Sequence, residues 1–243
     1  MIGTLYFVAT PIGNLEDLTF RALRILKDEV SLIACEDTRH TLILLQHYGI
    51  SKPLTSYHDH NKYKAAPRLI EELKKGASVA LVTDAGTPGI SDPGYHLLQR
   101  AIEENIPVVP IPGPSAVATA LCVSGLPTDS FLFVGFVPRK SVGRRKFLAS
   151  LKNMPCTLIF YESPFRVAAL LEDVLSELGD RPVVISRELT KKFEEFIRGS
   201  ASEIVARLSQ LTLKGEFTIM VQGNKEKKSG YESEPDDTDN PAE

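Results

Sequence analysis

The stretch from Val79 to Gly94, Val-Ala-Leu-Val-Thr-Asp-Ala-Gly-Thr-Pro-Gly-Ile-Ser-Asp-Pro-Gly, restricts the possible folds more than any other part of the chain. Val79 to Val82 is a short apolar, β-branched run after the turn residue Gly76, which predicts a strand buried on both faces. Regular structure must then stop. Gly86, Gly89 and Gly94, with Pro88 and Pro93, give the backbone of Asp84 to Asp92 little chance of joining a ladder. The glycines let a ligand approach the main chain and the prolines hold the loop in one shape. Ordinary strand-to-helix turns take about 2–6 residues, and this one is longer. A rigid Gly-rich loop at the carboxyl end of a buried strand is where open α/β sheets place ligands.

The rest of the first half repeats the arrangement. A strand over Thr4–Ala9 ends in Thr10-Pro11-Ile12-Gly13-Asn14, and Phe20, Leu23 and Leu26 follow at helical spacing. Val30–Cys35 is a strand ending at Glu36-Asp37-Thr38-Arg39, before an apolar helix stopped by Gly49. A weak strand over Leu54–Tyr57 runs into His58-Asp59-His60-Asn61, then a helix carrying Ala66, Leu69, Ile70 and Leu73. After the long loop come a helix through Leu97–Ala101 and a strand over Val108–Ile111, which ends in Pro112-Gly113-Pro114-Ser115-Ala116.

Beyond Gly125 the pattern changes. Strands are expected at Phe131–Val137, Thr157–Tyr161, Val183–Ser186, Phe193–Arg198 and Phe217–Val221, with helices on Val167–Leu178 and Glu203–Leu211. The predicted architecture is two α/β domains, residues 1–114 and 115–223, with a mostly parallel first sheet and a mixed second. If the strands before the three Pro/Gly loops are parallel neighbours, the loops line one crevice beside the second domain.

Composition narrows the class. A chain of 243 residues with 43% apolar content can bury a sizeable core. No apolar run approaches the ~18 residues of a membrane span, and no signal-peptide pattern opens the sequence. Cys35, Cys122 and Cys156 sit far apart in apolar runs and read as reduced thiols. A cytoplasmic protein is the expectation. Residues 224–243 carry seven of the 31 carboxylates and read as a disordered, charged tail, which leaves the remainder nearly neutral despite a net charge of −3. There is no G-x-G-x-x-G after the first strand and no P-loop, which argues against NAD-type and NTPase sites.

Eight motifs occur in order: Thr-Pro-Ile-Gly-Asn, Glu-Asp-Thr-Arg-His-Thr, His-Asp-His-Asn, the long loop, Pro-Gly-Pro-Ser-Ala, Phe-Tyr-Glu-Ser-Pro, Arg-Glu-Leu-Thr-Lys and Lys-Gly-Glu-Phe. Together they closely resemble the tetrapyrrole methylase superfamily, and within it the bacterial enzymes that 2′-O-methylate a decoding-centre cytidine of small-subunit (16S) ribosomal RNA. The resemblance covers residues 4 to about 223. It implies a homodimer, the small ribosomal subunit as partner, and S-adenosylmethionine as methyl donor, bound in the cleft between two α/β domains. Matched position by position, it also implies donor contacts from Pro11, Asp84, Thr87, Gly89, Ile90, Ser115, Ala116, Tyr161, Phe217 and Thr218.

A sulfonium donor has a neutral leaving group and needs no metal; positioning of methyl against oxygen supplies ~7–11 kcal/mol of the barrier. The ribose hydroxyl must lose a proton. Asp37, His58 and Glu162 lead the candidates at strand ends, with Asp59, His60 and Asp84 behind them. Asp37 reads equally well as a helix cap or a partner of Arg39. His58-Asp59-His60 is a weak metal signal, and no metal is expected. Arg187, Glu188 and Lys191 fit either an ion-pair network or phosphate contacts. Five of the eight residues from Arg139 to Lys146 are basic, namely Arg139, Lys140, Arg144, Arg145 and Lys146, with no carboxylate between Phe131 and Asn153. With Arg39 they are the expected RNA contacts. A methylase acting on a tetrapyrrole or a protein, and a non-catalytic ribosome-binding module, are the competing readings.

Overall fold

The protein is described here from a computed structural model, over residues 1–224. The tail expected to be disordered lies, from residue 225, outside the described residues. Five strands, β1 (Leu5–Val8), β2 (Leu32–Cys35), β3 (Leu54–Ser56), β4 (Val79–Leu81) and β5 (Val108–Ile111), form the first sheet in the order β3-β2-β4-β1-β5. Every neighbouring pair is parallel. Helices cover both faces, as a parallel sheet requires. On one face α1 (Phe20–Arg24) and α2 (Thr38–His47) place Ala22, Leu44 and Leu45 against Val8, Ile33 and Val82. On the other, α3 (Lys62–Lys74) and α4 (Gly94–Glu103) place Leu69, Leu73 and Leu97 against Leu5, Ala34 and Leu81.

One local expectation fails here. Helical spacing puts Phe20 on a buried face with Leu23 and Leu26, yet it is 93% exposed. The helix stays α-helical for only five residues and then widens into a π-helical turn over Ile25–Glu29, closed by Val30 N–H to the Ile25 carbonyl at 3.2 Å. Within the α-helical part the buried residue is Ala22, two positions from Phe20 and so on roughly the opposite side of the helix, and after the π-helical turn β2 begins at Leu32.

The second sheet is mixed. Its strands β6 (Phe131–Phe136), β7 (Thr157–Glu162), β8 (Pro182–Arg187), β9 (Glu195–Ser200) and β10 (Phe217–Val221) run in the order β6-β7-β10-β8-β9. Only β6 and β7 are parallel; β10 pairs antiparallel with both β7 and β8. One face packs under α6 (Ser141–Leu151), α7 (Val167–Leu178) and α8 (Ala201–Ala206). The opposite face meets α5 (Ala116–Cys122): Val117, Ala120 and Leu121 pack on Ile159, Val184 and Met220, and Ile12 of the first loop joins them. The helix expected over 203–211 starts at Ala201 because Ser200 and Glu203 form a capping box, and it gives way to a 3-10 turn at Leu208–Gln210.

Candidate active site between the two sheets

Strands β4, β1 and β5 are adjacent and parallel, so their Pro/Gly loops emerge side by side at one end of the sheet. They are also tied together. Thr10 and Gly86 exchange both backbone hydrogen bonds, at 2.9 and 3.0 Å, and Thr10 Oγ1 donates to the Thr83 carbonyl at 3.0 Å. Thr87 Oγ1 donates to the Pro114 carbonyl at 3.2 Å. Gly86 sits at φ +85, a conformation that a side chain would strain. Asp92 fastens the far end, its carboxylate accepting from Gly89 N–H at 2.8 Å and Gly94 N–H at 2.7 Å. Burial nevertheless pushes the Asp92 pKa up.

These loops and the end of the second sheet enclose a cavity of ≈ 460 Å³, within the usual range for a small-molecule site. Asp84, Thr87, Ile90, Ser115 and Ala116 line it from one side, and Tyr161, Phe217 and Thr218 from the other. Eight of the ten expected donor contacts therefore meet around one space. Pro11 and Gly89 do not line it. Pro11 is buried and Ile12 takes the lining position beside it, while Gly89 is held by Asp92 and shapes the loop. Among the described residues no lysine, arginine or histidine lines the cavity.

The expected proton acceptors fare differently. Asp37 caps α2 through Arg39 N–H at 2.8 Å and grips the Arg39 guanidinium at 3.1 and 2.7 Å. That guanidinium holds its carboxyl far below the usual carboxylate range, and Asp37 does not line the cavity. The Glu162 side chain is fully buried, with Oε1 accepting from Ser163 N–H at 2.8 Å and Oε2 lying 3.0 Å from Arg166 Nη2. His58 lies at the end of edge strand β3, outside the cavity lining, its ring 6.0 Å from that of His60. Among the described residues no group of three or more His, Cys, Asp or Glu is placed to hold a metal ion.

Glu36, which is not among the expected proton acceptors, lines the cavity together with Asp84 and Glu162. It accepts a hydrogen bond from Thr83 Oγ1, and no cation pairs with it among the described residues. Burial, then the nearby Asp84 and Asp92 carboxylates, push its pKa up, with the Thr83 bond acting against them. Tyr161, also raised by burial, keeps its phenol protonated.

The basic run divides. Arg139, Lys140 and Lys146 are exposed. Arg144 is not: it is 6% exposed, and its Nε lies 2.6 Å from the Asp173 carboxylate on α7. Arg145 reaches Glu177 at 3.0 Å. The local shortage of carboxylates is met by a neighbouring helix, so Arg144 fastens α6 to α7 and is withdrawn from any RNA contact. Arg144→Ala should lower stability by about 3 kcal/mol, the low end for breaking a buried pair, because Asp173 stays buried with only the half-exposed Arg145 Nε, 3.4 Å away, left to pair with it; urea titration checks this, and a loss under about 1 kcal/mol, the scale of a surface pair, would contradict it. Likewise Arg187 pairs with Glu195, and Lys191 with Glu188 and Glu216, all at 3.0 Å, as an ion-pair network.

Comparison with known proteins agrees with this arrangement. The profile of the tetrapyrrole (corrin/porphyrin) methylases matches residues 4–205. The protein called ribosomal RNA small subunit methyltransferase I in Halalkalibacterium halodurans is 56% identical over 93% of this chain and 78% of its own length. Its namesake in Escherichia coli O157:H7 is 50% identical over 92% of this chain and 79% of its own. Among solved structures, a cobalt precorrin-4 methyltransferase aligns with a TM-score of 0.68 at 16% identity, covering 90% of this chain and 94% of that one. The Thermus thermophilus uroporphyrin-III C-methyltransferase complexed with S-adenosylhomocysteine gives 0.63 at 20%, covering 90% and 97%. A common fold, a profile spanning both sheets and relatives near half identity over most of the chain lead to one conclusion: it belongs to the tetrapyrrole methylase family, in the branch of the ribosomal RNA small subunit methyltransferases I.

Proposed function

We propose that the chain transfers a methyl group from S-adenosylmethionine to the ribose 2′-hydroxyl of a decoding-centre cytidine in small-subunit ribosomal RNA, acting in the cytoplasm as a homodimer. In this reading residues 1–114 and 115–223 are the two α/β units that close on the donor. The observation that carries it is the character of the cavity: apolar walls and carboxylates, with no basic side chain lining it among the described residues. Such a lining suits a cationic sulfonium and repels a phosphate-rich nucleotide.

The donor supplies an electrophilic carbon on a leaving group that departs neutral. The chain supplies the rest. Ile12, Ile90, Ala116 and Phe217 offer apolar contact, and the Gly86 backbone permits close approach. Stiffness comes from the Thr10–Gly86 and Thr87–Pro114 ties, which fix the loops before anything binds. Glu36 takes the hydroxyl proton as the 2′-oxygen bonds to the methyl carbon and the carbon–sulfur bond breaks. With no cation partner among the described residues and a raised pKa, it is more basic than Asp37.

Incubating the purified chain with isotopically labelled S-adenosylmethionine and small ribosomal subunits tests this directly. Label is expected in the RNA. Label confined to protein, or tight donor binding with no transfer, would overturn the reading.

A further inference from the structure

We infer that Phe136 and Phe165, with Arg139 and Lys140 beside them, form a stacking platform for single-stranded RNA at the mouth of the cavity. The inference rests on the RNA-methylating function proposed above and names how the substrate strand is held.

The platform begins with a bulge. Register between β6 and β7 slips between Phe133 and Gly135, and Gly135 takes φ +72. Bulges re-aim side chains, and here Phe136 lies opposite Tyr161 and lines the cavity while 60% exposed. Its ring stands edge-on to that of Tyr161, with centroids 5.9 Å apart. The neighbouring turn presents Phe165, 95% exposed, directly after the lining residues Ser163 and Pro164.

This turn is fixed. Arg166 N–H donates to the Ser163 carbonyl at 3.0 Å, and Arg166 Nη2 donates to the Val137 and Pro138 carbonyls at 2.8 and 3.2 Å. Arg166 therefore clamps the Phe165 turn onto the segment that leads from Phe136 to Arg139 and Lys140. Both cations are exposed, and neither forms an ion pair among the described residues, whereas Arg144 and Arg145 are engaged by α7.

Two phenyl rings open to solvent beside two unpaired cations would suit an apolar protein surface poorly, because the cations would have to be desolvated without partners. Single-stranded RNA satisfies both. Each base has a face that stacks on an aromatic ring, and each linkage carries an anion. Placing the platform at the cavity mouth holds a splayed-out nucleotide with its ribose toward Glu36.

The test reads RNA binding apart from chemistry. Fluorescence anisotropy with a short labelled single-stranded, cytidine-containing RNA should show Phe165→Ala weakened about tenfold, the scale of a single base–aromatic stack. Phe165→Tyr should bind like the wild type and Phe165→Leu like the alanine variant, since only the former retains a π face. Donor affinity, measured by calorimetry, should not move in any Phe165 variant. Arg139→Ala with Lys140→Ala should flatten the salt dependence by roughly 0.7 in slope for each phosphate that is no longer neutralised, while Phe165→Ala keeps the wild-type slope. Wild-type RNA affinity in Phe165→Ala, or full affinity in Phe165→Leu, would overturn the platform. So would a dimer-to-monomer shift in sedimentation of Phe165→Ala, which would assign the patch to a second copy of the chain. Because affinity is read without transfer, absence of methylation by the wild type would refute the proposed function and leave this result interpretable on its own.

Discussion

Glu36→Gln should lower kcat by about 10²–10⁴-fold, the usual contribution of general-base help, with S-adenosylmethionine affinity nearly unchanged. Glutamine has the same size, and its amide oxygen still accepts the Thr83 hydroxyl that Glu36 binds, so the cavity wall is preserved. Only the proton acceptor is removed. The sign of the pH dependence follows from the raised pKa of Glu36. The rate requires the ionised form, so transfer should fall with decreasing pH through a midpoint above the ordinary carboxylate range. The Gln variant should lose that limb. A Gln variant with wild-type kcat, or an acid limb that survives the substitution, would remove Glu36 from the reaction and direct attention to Asp84, a lining carboxylate with no ion pair among the described residues and without the loop-closing hydrogen bonds made by Asp92.

Gly86→Leu should abolish detectable donor binding while the chain still folds. An L side chain at φ +85 is strained by roughly 1–2 kcal/mol. Its first carbon alone would lie 3.5 Å from Ile12 Cγ2 and 3.7 Å from the Pro114 carbonyl oxygen. The remaining atoms must enter the cavity or part the Thr10–Gly86 bridge. Either outcome removes the close backbone approach on which donor binding depends. Gly49 provides the control: it also has positive φ, +63, but an added side chain there meets nothing within 4 Å. Gly49→Leu should carry a comparable stability loss and leave donor affinity intact. Calorimetric titration separates the two; undiminished affinity in the Gly86 variant would refute the loop's assignment.

The three loops could be read from sequence because proline and glycine act locally. Their convergence depended only on β4, β1 and β5 being neighbours, and the helical segments between them make parallel pairing the natural result. The choice between Glu36 and Asp37 was hidden for a specific reason. Ile33, Ala34 and Cys35 of β2 are all buried, so no polar–apolar alternation reveals which side the next residue takes. The chain sends Glu36 into the cavity and Asp37 outward to cap α2. Arg144 was hidden by distance along the chain. Asp173 is 29 residues away and appears polar within an apolar helix stripe, and only the packing of α6 on α7 identifies the two as a pair. Phe165 gave no signal beyond its neighbours, since its exposure results from the Arg166 clamp.

The position of the transferred methyl group decides whether the reaction is ribose 2′-O-methylation. RNA from small subunits treated with the chain and S-adenosylmethionine would be hydrolysed in alkali and its nucleosides identified by mass spectrometry. A methyl on the 2′-oxygen removes the nucleophile needed for alkaline cleavage of the adjoining phosphodiester. A single alkali-resistant dinucleotide containing 2′-O-methylcytidine is expected, formed with the wild type and lost with Glu36→Gln. Methyl found on a base, or RNA fully cleaved by alkali despite incorporated label, would contradict it.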